Sequence, residues 1–453
     1  MEYLIKICTV FVIIFILNRL KFDIGLAILI GATTLGFLMH LSFLKIVTVF
    51  LTIFTNSSYL LILTSVGFIV IFINLLEKGE YLEQIVIALT EVFPNSITSM
   101  AVLPALIGLL PMPGGALVSA PIVEEIDKRN VLTPIKKSLI NYWFRHIWEY
   151  CWPLYPGVLL VASFLNLPLW LFSLAGIPFT LLDYLIGYLC LILPERERFL
   201  SSKHKAPAST ALPSPNRVKM SKIYLLTSFA KKDNISAKCI FNINLSNLFK
   251  ALAPVIIIIL VFSLLEVVFF LLPFPLPRYT SINIALISVI IWLIRKNKNF
   301  KVLDVIKSRV FWKTIFPVVS ILYFEELIIS TNLIYSINSL LSSNLFSVSL
   351  GMFLLPFIAG WITGISLGFI GTALPVVFAM PVFHNIPLFK FIIFAFTSYC
   401  FGFMGVMLSP VHLCLMFSCE YFKVNLSKVY LLLLPLVFFF LIIVFIIFSL
   451  TGV

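Results

Sequence analysis

A short pattern of leucine, proline and glycine occurs twice in this chain, each time inside strongly apolar sequence. The pattern L-P-x-x-x-G spans residues 103–108 and recurs at residues 355–360. Each copy begins a stretch rich in small residues that closes on a proline, and a further proline follows 35 residues later. These proline pairs are Pro121 with Pro156 and Pro375 with Pro410. Matching interruptions predict two related halves.

The composition predicts that the chain lies in a membrane. It is 61% hydrophobic and only 11% charged, far more apolar than a soluble domain. Charge-free apolar runs at 7–18, 59–76 and 429–453 approach or exceed the length that crosses a bilayer. We therefore expect an all-α polytopic protein of the cell inner membrane, with about 10 spanning helices plus two hairpins.

Basic residues are concentrated in two segments between apolar runs. Eleven Lys and Arg against three acids lie in 195–250, and seven against one lie in 295–313. Such clusters mark the cytoplasmic side of a membrane protein, so the net charge of +13 indicates topology. The lipid bilayer is the expected partner, and no nucleic acid is expected.

The first basic segment, which also contains proline and serine, divides the chain. We predict a first membrane repeat over 1–193, a cytoplasmic linker over 194–249 and a second membrane repeat over 250–453. The Lys and Arg bias puts both termini outside and inverts one repeat relative to the other. The predicted helices are 4–20, 23–41, 58–77, an interfacial helix at 80–93, an interrupted pair within 95–128, a broken helix over 135–166, 168–193, 250–272, 279–294, 313–341, a second interrupted pair within 345–382, a broken helix over 388–421, and 427–450.

The first interrupted pair cannot be one regular helix. Pro111 and Pro113 each remove a backbone donor, and Gly114 with Gly115 permits a sharp bend. A re-entrant hairpin with its tip at 111–115 fits, because irregular backbone survives at membrane depth only inside protein or a cavity. Its helix ends would offer N–H groups to an anion and C=O groups to a cation. Ser119 is a further candidate for contact with a substrate.

The second pair contains Thr363, Gly364 and Ser366 at its tip, and these are the candidate ligands there. The alternative is close helix packing, because Gly360, Gly364 and Gly368 follow the Gly-x-x-x-Gly spacing of packed membrane helices. The repetition of the interruption in both halves favours a binding site.

The second proline of each pair predicts a broken helix that faces its hairpin tip. Pro156 lies in the first of these breaks, and Ser409 with Pro410 lies in the second. A simple proline kink is the alternative. The equal offset in the two halves favours a paired site to which all three residues contribute.

Few ionisable residues lie within apolar sequence, and each is a functional candidate. The candidates are Arg145, His146, Glu149, Glu325, Glu326 and His412, whereas Asp183 and Glu266 are expected near an interface or satisfied by a neighbour. Arg145 and Glu149 are four residues apart and could instead form a structural ion pair on one helix. Glu325 and Glu326 are adjacent, so at most one of them should face a site.

Gly364, Ser366 and Gly368 also match the G-x-S-x-G pattern of serine hydrolases. An intramembrane hydrolase would pair Ser366 with His384 or His412. The pattern here lies in apolar helical sequence rather than in a strand-to-helix turn, so we expect no enzyme. The seven cysteines form no C-x-x-C pair, and six lie in apolar segments, so we expect no metal site.

The strings at 103–121 and 405–414 resemble an uncharacterised integral membrane family, domain of unknown function family 401, of the ion transporter superfamily. The resemblance spans nearly the whole chain. It implies inverted repeats with re-entrant hairpins, an elevator-like transport domain and a scaffold that commonly forms a homodimer. The carboxylate carriers of that superfamily have a Ser-Asn-Thr signature at the hairpin tips, which this chain lacks, so the substrate class stays open.

The sequence therefore predicts an ion-coupled secondary transporter of a small, organic anion, with no cofactor other than sodium or a proton as coupling ion. The anion would lie between the hairpin tips, in contact with Ser119, Thr363 and Ser366. A cation/proton exchanger that uses Glu325 or Glu326 is the alternative within transport. The hydrolase with Ser366 is the alternative from another class.

The predicted topology can be tested with reporter fusions. A reporter that is active only in the cytoplasm should be active when inserted at 206–215, because this basic linker is expected inside. The same reporter at residue 453 should be inactive, whereas an externally active enzyme should work there. Cytoplasmic activity at residue 453 would contradict the inverted arrangement of the halves.

Overall fold

The structure is a computed structural model and is helical throughout, with no strand in the part of the chain that it describes. The described residues are 2–81, 84–85, 87–88, 97–112, 114–127, 130–204, 245–272, 276–296, 300–331, 345–380 and 386–451. Pro113, His384, most of the linker and most of the predicted interfacial helix at 80–93 lie outside these residues.

The first half consists of helices that the sequence divides at proline, glycine and capping residues. They are α1 (Glu2–Arg19), α2 (Ile24–Leu38), α3 (Phe43–Thr55), α4 (Ser57–Lys78), α5 (Ser99–Gly108), α6 (Ala116–Ile126), α7 (Pro134–Arg145), a 3₁₀ turn (Ile147–Tyr150), α8 (Pro156–Phe164), α9 (Leu169–Gly187), a π turn (Tyr188–Ile192), a second 3₁₀ turn (Leu193–Glu195) and α10 (Arg196–His204).

The second half also contains long helices, an interrupted pair and a broken helix. Its helices are α11 (Leu245–Leu271), α12 (Thr280–Lys296), α13 (Val302–Ile306), α14 (Arg309–Ser330), α15 (Leu345–Thr363), α16 (Ser366–Thr372), α17 (Leu374–Phe378), α18 (Leu388–Met407), α19 (Leu413–Tyr421) and α20 (Leu426–Leu450).

The structure differs from the predicted helices in several places: α10 and the first residues of α11 lie within the predicted linker, and neither α3 nor α13 was predicted. Helix α3 was not predicted, because at 13 residues it is too short to cross a bilayer alone. It begins where Ser42 accepts a hydrogen bond from the Lys45 N–H, and the Asn56 side chain then caps α4. The predicted helix over 313–341 corresponds to α14, which ends at Ser330; the range 332–341 lies outside the described residues.

The described chain is that of a membrane protein. Five of its helices are long and apolar enough to cross a bilayer: Ser57–Lys78, Leu169–Ser201, Ser246–Leu271, Leu388–Met407 and Leu426–Leu450. Their burial differs widely, from 22% of the apolar stretch of α11 to 72% of that of α18. Helix α18 is therefore central, and α11 presents most of its apolar surface outward.

Helices α15 and α18 pack backbone against backbone. A Cβ at Gly360 would lie 2.1 Å from the Gly402 carbonyl oxygen, and a Cβ at Gly405 would lie 2.1 Å from the Phe357 carbonyl oxygen. No side chain fits at these positions unless the helices separate. Close packing through small residues, the alternative considered for the second pair, thus applies to Gly360.

The second segments of the two broken helices each pack against the opposite half. The second segment of the first broken helix, α8, packs against α16 and α17 of the other half. The second segment of the second broken helix, α19, packs against α6 and α7. Part of each broken helix therefore packs against the other half. These contacts bring the helix breaks of the two halves together.

Because α15 and α18 approach so closely, one added methyl group between them should destabilise the protein. Gly405→Ala should lower the free energy of unfolding by roughly 1–3 kcal/mol, because the new Cβ overlaps backbone that cannot move alone. Thermal unfolding of the purified protein in detergent measures the change. Gly67→Ala is the matched control, since its Cβ would meet only a side chain at 3.5 Å; equal effects of both changes would contradict the packing argument.

Candidate functional site

Proline and glycine place four helix breaks in the two halves. Pro156 begins α8 and Pro410 precedes α19; neither proline can donate the hydrogen bond that a continuous helix requires there. Gly114 has a φ of +72° and Gly364 a φ of +67°, a backbone conformation that side chains other than that of glycine rarely adopt. The breaks that the sequence predicts at these four residues are therefore present.

The breaks meet around a buried group of side chains that we call the polar centre. It comprises Arg145, His146, Glu149, Ser366, His412 and Cys414. Arg145 is the last residue of α7, and His146 and Glu149 follow it. The other three lie at the two breaks of the second half. The centre thus lies at the junction between the halves.

Arg145 is the buried cation of the polar centre, with 3% of its surface exposed. Its Nη2 donates to the Met112 carbonyl at 2.9 Å, and its Nη1 donates to the Cys414 sulfur at 3.5 Å. Its Nε has no hydrogen-bond partner. A Cβ on Gly115 would lie 1.9 Å from Nη2, so the glycine makes room for the guanidinium.

Glu149 does not form the ion pair with Arg145 that was one of the two alternatives; among the described residues no carboxylate lies within 4.0 Å of Arg145. The α-helix ends at Arg145 and a 3₁₀ turn follows, which removes the helical spacing that such a pair needs. Glu149 instead accepts a hydrogen bond from Ser366 across the halves at 3.2 Å. Tyr399 donates to the Glu149 backbone carbonyl at 2.8 Å and fixes the turn.

The two histidines connect the halves directly. The Nε2 atoms of His146 and His412 are 3.2 Å apart. Nδ1 of His412 is 2.7 Å from the Gly364 carbonyl oxygen, and Nδ1 of His146 is 2.7 Å from the Tyr142 carbonyl oxygen. His412, a predicted charge candidate, is thus linked to the predicted tip residue Gly364.

Other predicted residues lie near these breaks but bond locally. The Ser119 hydroxyl donates to the Gly115 carbonyl at 3.3 Å, and the Thr363 hydroxyl donates to the Ala359 carbonyl at 2.8 Å. The Ser409 hydroxyl, fully buried, accepts from the Val411 N–H at 3.4 Å. Their hydroxyls therefore satisfy backbone groups of their own half.

A cleft of about 390 Å³ opens between the two breaks of the second half and the end of α1. It is lined by Asn18, Arg19, Lys21, Trp361, Ile362, Thr363, Pro410 and Val411. Two basic residues and the predicted residues Thr363 and Pro410 thus share one cleft. Asn18 also donates to the Ile362 carbonyl at 3.3 Å, which ties α1 to the end of α15.

The structure does not link Glu325 and Glu326 to the polar centre by any described hydrogen bond. Both lie on α14, where Glu326 accepts a hydrogen bond from Tyr59 at 2.6 Å. One carboxylate oxygen of Glu325 is buried without a partner. These acids form a separate candidate position against α4.

Sequence reasoning missed Cys414, which it treated as a small hydrophobic residue. Together with His146 and His412 it forms a group whose donor atoms all lie within 4.8 Å of one another. His412 and Cys414 are two residues apart at a helix break, and that spacing was the available signal. His146 was noted beside Arg145, but its partner in the other half was not foreseeable.

The family model described as "Protein of unknown function (DUF401)" matches residues 2–208 and 225–451. The chain belongs to this family. None of the curated proteins matches it. The predicted resemblance is therefore confirmed at the level of the family, whose description assigns no activity.

Asn141 offers a test of how the polar centre is held together. It donates to the Ala116 carbonyl at 3.0 Å and to the Ser418 hydroxyl of the other half at 2.8 Å. Asn141→Leu should destabilise the protein by roughly 2 kcal/mol, because two buried polar groups lose their donor. The control is Asn74→Leu, which removes one bond within a single helix. Comparable melting temperatures for the two variants would contradict this role.

Proposed function

We propose that the protein is an ion-coupled secondary transporter of a small anion, with the anion bound at the polar centre. The observation that carries the proposal is Arg145, a buried guanidinium at the junction of the halves with an unpartnered Nε. An ionised group held inside a membrane protein is costly, and such groups are retained chiefly on substrate or ion pathways. An anionic substrate would compensate its charge.

The groups around Arg145 suit a small anion with several oxygens. Arg145 offers an N–H of fixed direction, and the Ser366 hydroxyl could donate to a bound anion in place of Glu149. The first residues of α8 and α16 are adjacent, since a Cβ at Gly157 would lie 4.0 Å from the Ser366 Cβ. We expect the anion to be bound between Arg145 and Ser366.

Glu149 is the proposed coupling group if the coupling ion is a proton. It lies beside the proposed anion position and is hydrogen-bonded to Ser366. Protonation would remove its charge, which otherwise repels an incoming anion. If the coupling ion is sodium, carbonyl and hydroxyl oxygens at the breaks would bind it instead.

The matched elements of the halves support an inverted repeat. In each half an interrupted pair is followed by a broken helix, and α8 and α19 contact corresponding parts of the opposite half. We infer that the pairs α5–α6 and α15–α16 are the re-entrant hairpins of an ion transporter superfamily fold. An elevator-type movement and a homodimeric scaffold belong to the same proposal.

A cation/proton exchanger is the second candidate, favoured by one observation. Glu325 has a buried carboxylate oxygen without a partner, next to Glu326. Two adjacent membrane acids could bind and release a proton in exchange for a cation. In this case the anion site would be absent.

A hydrolase based on Ser366 has less support. The Ser366 hydroxyl donates to a carboxylate, and the ring nitrogens of His412 are directed to the Gly364 carbonyl and to His146. A serine nucleophile would need a histidine to accept its proton. His384, the other predicted partner, lies outside the described residues.

The first test is a thermal-shift screen of the purified protein against carboxylates, oxyanions and cations at several pH values. A ligand that binds the folded state raises the melting temperature, so an anion that does so identifies the substrate class. We expect one anion to act, with its effect dependent on sodium or pH. Stabilisation by cations alone would contradict the anion proposal and favour the exchanger.

Two matched pairs of variants then test the site by uptake into proteoliposomes. Ser366→Ala should reduce uptake of that anion at least tenfold, because it removes a proposed substrate contact. Ser320→Ala should leave it unchanged, since its hydroxyl bonds within its own helix. If uptake is coupled to protons, Glu149→Gln should abolish the coupling while Glu326→Gln spares it; the reverse result would assign coupling to α14.

A further inference from the structure

Two histidines and a cysteine from different halves converge in the polar centre. His146 comes from the end of α7, and His412 and Cys414 come from the start of α19. One donor atom from each lies within 4.8 Å of the other two. The residues are 2%, 9% and 7% exposed, respectively, so all three donors are shielded from water.

The hydrogen bonds of the rings fix where their protons are. Nδ1 of each histidine lies 2.7 Å from a backbone carbonyl oxygen, which can only accept a hydrogen bond. Each neutral ring therefore carries its proton on Nδ1 and has a lone pair on Nε2. The two Nε2 atoms are 3.2 Å apart, so two lone pairs face each other. That arrangement repels unless a cation lies between them.

The spacing of the donors suits one metal ion. Zinc–nitrogen bonds of about 2.0–2.1 Å in a tetrahedral site place two ligand nitrogens about 3.3 Å apart. The separation of 3.2 Å between the Nε2 atoms agrees with this distance. Imidazole and thiolate together are the ligand set that zinc and similar transition metals prefer.

The surroundings of the donors resemble the outer shell of a metal site. Metal-bound histidines commonly donate their other N–H to a carbonyl, as His146 does to Tyr142 and His412 does to Gly364. The Cys414 sulfur accepts from Arg145 at 3.5 Å, and that contact favours a thiolate. The rings are thus oriented as ligands before any ion binds.

We propose that His146, His412 and Cys414 bind one transition-metal ion of the Zn²⁺ class between the two halves. The inference goes beyond the proposed transport function and does not depend on it. Three protein ligands leave the fourth tetrahedral position open to a water or another ligand. Because the ligands come from both halves, the bound ion would cross-link α7 to α19.

The test is a metal titration of the full-length protein, purified in detergent with a tag that contains no histidine. One equivalent of Co²⁺ should bind and give the visible bands of a tetrahedral site, together with a sulfur-to-metal charge-transfer band. Zn²⁺ should displace it and raise the melting temperature, and a chelator should reverse that rise.

Matched variants assign the ligands. Cys414→Ser should abolish the charge-transfer band and weaken binding by at least roughly 100-fold, the upper end of the loss that outer-shell changes alone cause. His412→Gln should weaken it similarly. Cys419→Ser is the control on the same helix; its sulfur contacts Ser138 and does not belong to the group of three.

Two results would overturn the site. The first is wild-type protein that binds no Co²⁺ and whose melting temperature does not change with Zn²⁺ or a chelator. In that case the two histidines would share a proton and not a metal ion. Binding that survives both Cys414→Ser and His412→Gln would place the metal elsewhere. The metal titration does not depend on transport activity. Its result is therefore valid even if the protein transports no anion.

Discussion

The hydrocarbon core of a membrane has no water to bond with a free carbonyl, and this constraint governs the helix breaks. Each interrupted helix leaves carbonyl oxygens without an intrahelical donor. Side chains from other segments supply the missing donors, and one of them, Tyr142, does so across the junction between the halves. These donor–carbonyl pairs are Trp148 with Ala105, Tyr155 with Gly108, Arg145 with Met112, Asn141 with Ala116, His412 with Gly364 and Tyr142 with Met407.

Satisfying the backbone in this way leaves a small set of polar atoms for function. The Nε of Arg145, the Nε2 atoms of the two histidines and the Cys414 sulfur are not bonded to any backbone group. Within the described ranges, the Ser366 hydroxyl and the Glu149 carboxylate bond to each other across the halves. Most residues proposed to bind an anion or a metal therefore use one atom for a structural hydrogen bond and have a second atom that can contact a ligand.

The breaks were predictable from the sequence because proline and glycine act locally. The helices break at Gly114, Gly364, Pro156 and Pro410, whereas Pro104, Pro121 and Pro356 lie inside continuous helices, so the repetition of the interruptions in both halves was a better guide than any single proline. Which side chains meet across the breaks was not predictable, since that depends on how α19 packs against α7. Cys414 is the clearest case: from sequence alone, a cysteine in an apolar segment looks like any other packed residue.

Helices α15 and α18 touch through Gly360, Gly402 and Gly405 without intervening side chains. Backbones in such contact cannot slide or tilt past each other without a collision of carbonyl oxygens with Cα atoms. His412, which immediately precedes α19, adds a bond to the Gly364 carbonyl at the end of α15. The second interrupted pair therefore cannot open as a hinged gate while α18 stays still; any large displacement must carry the two helices as a rigid body.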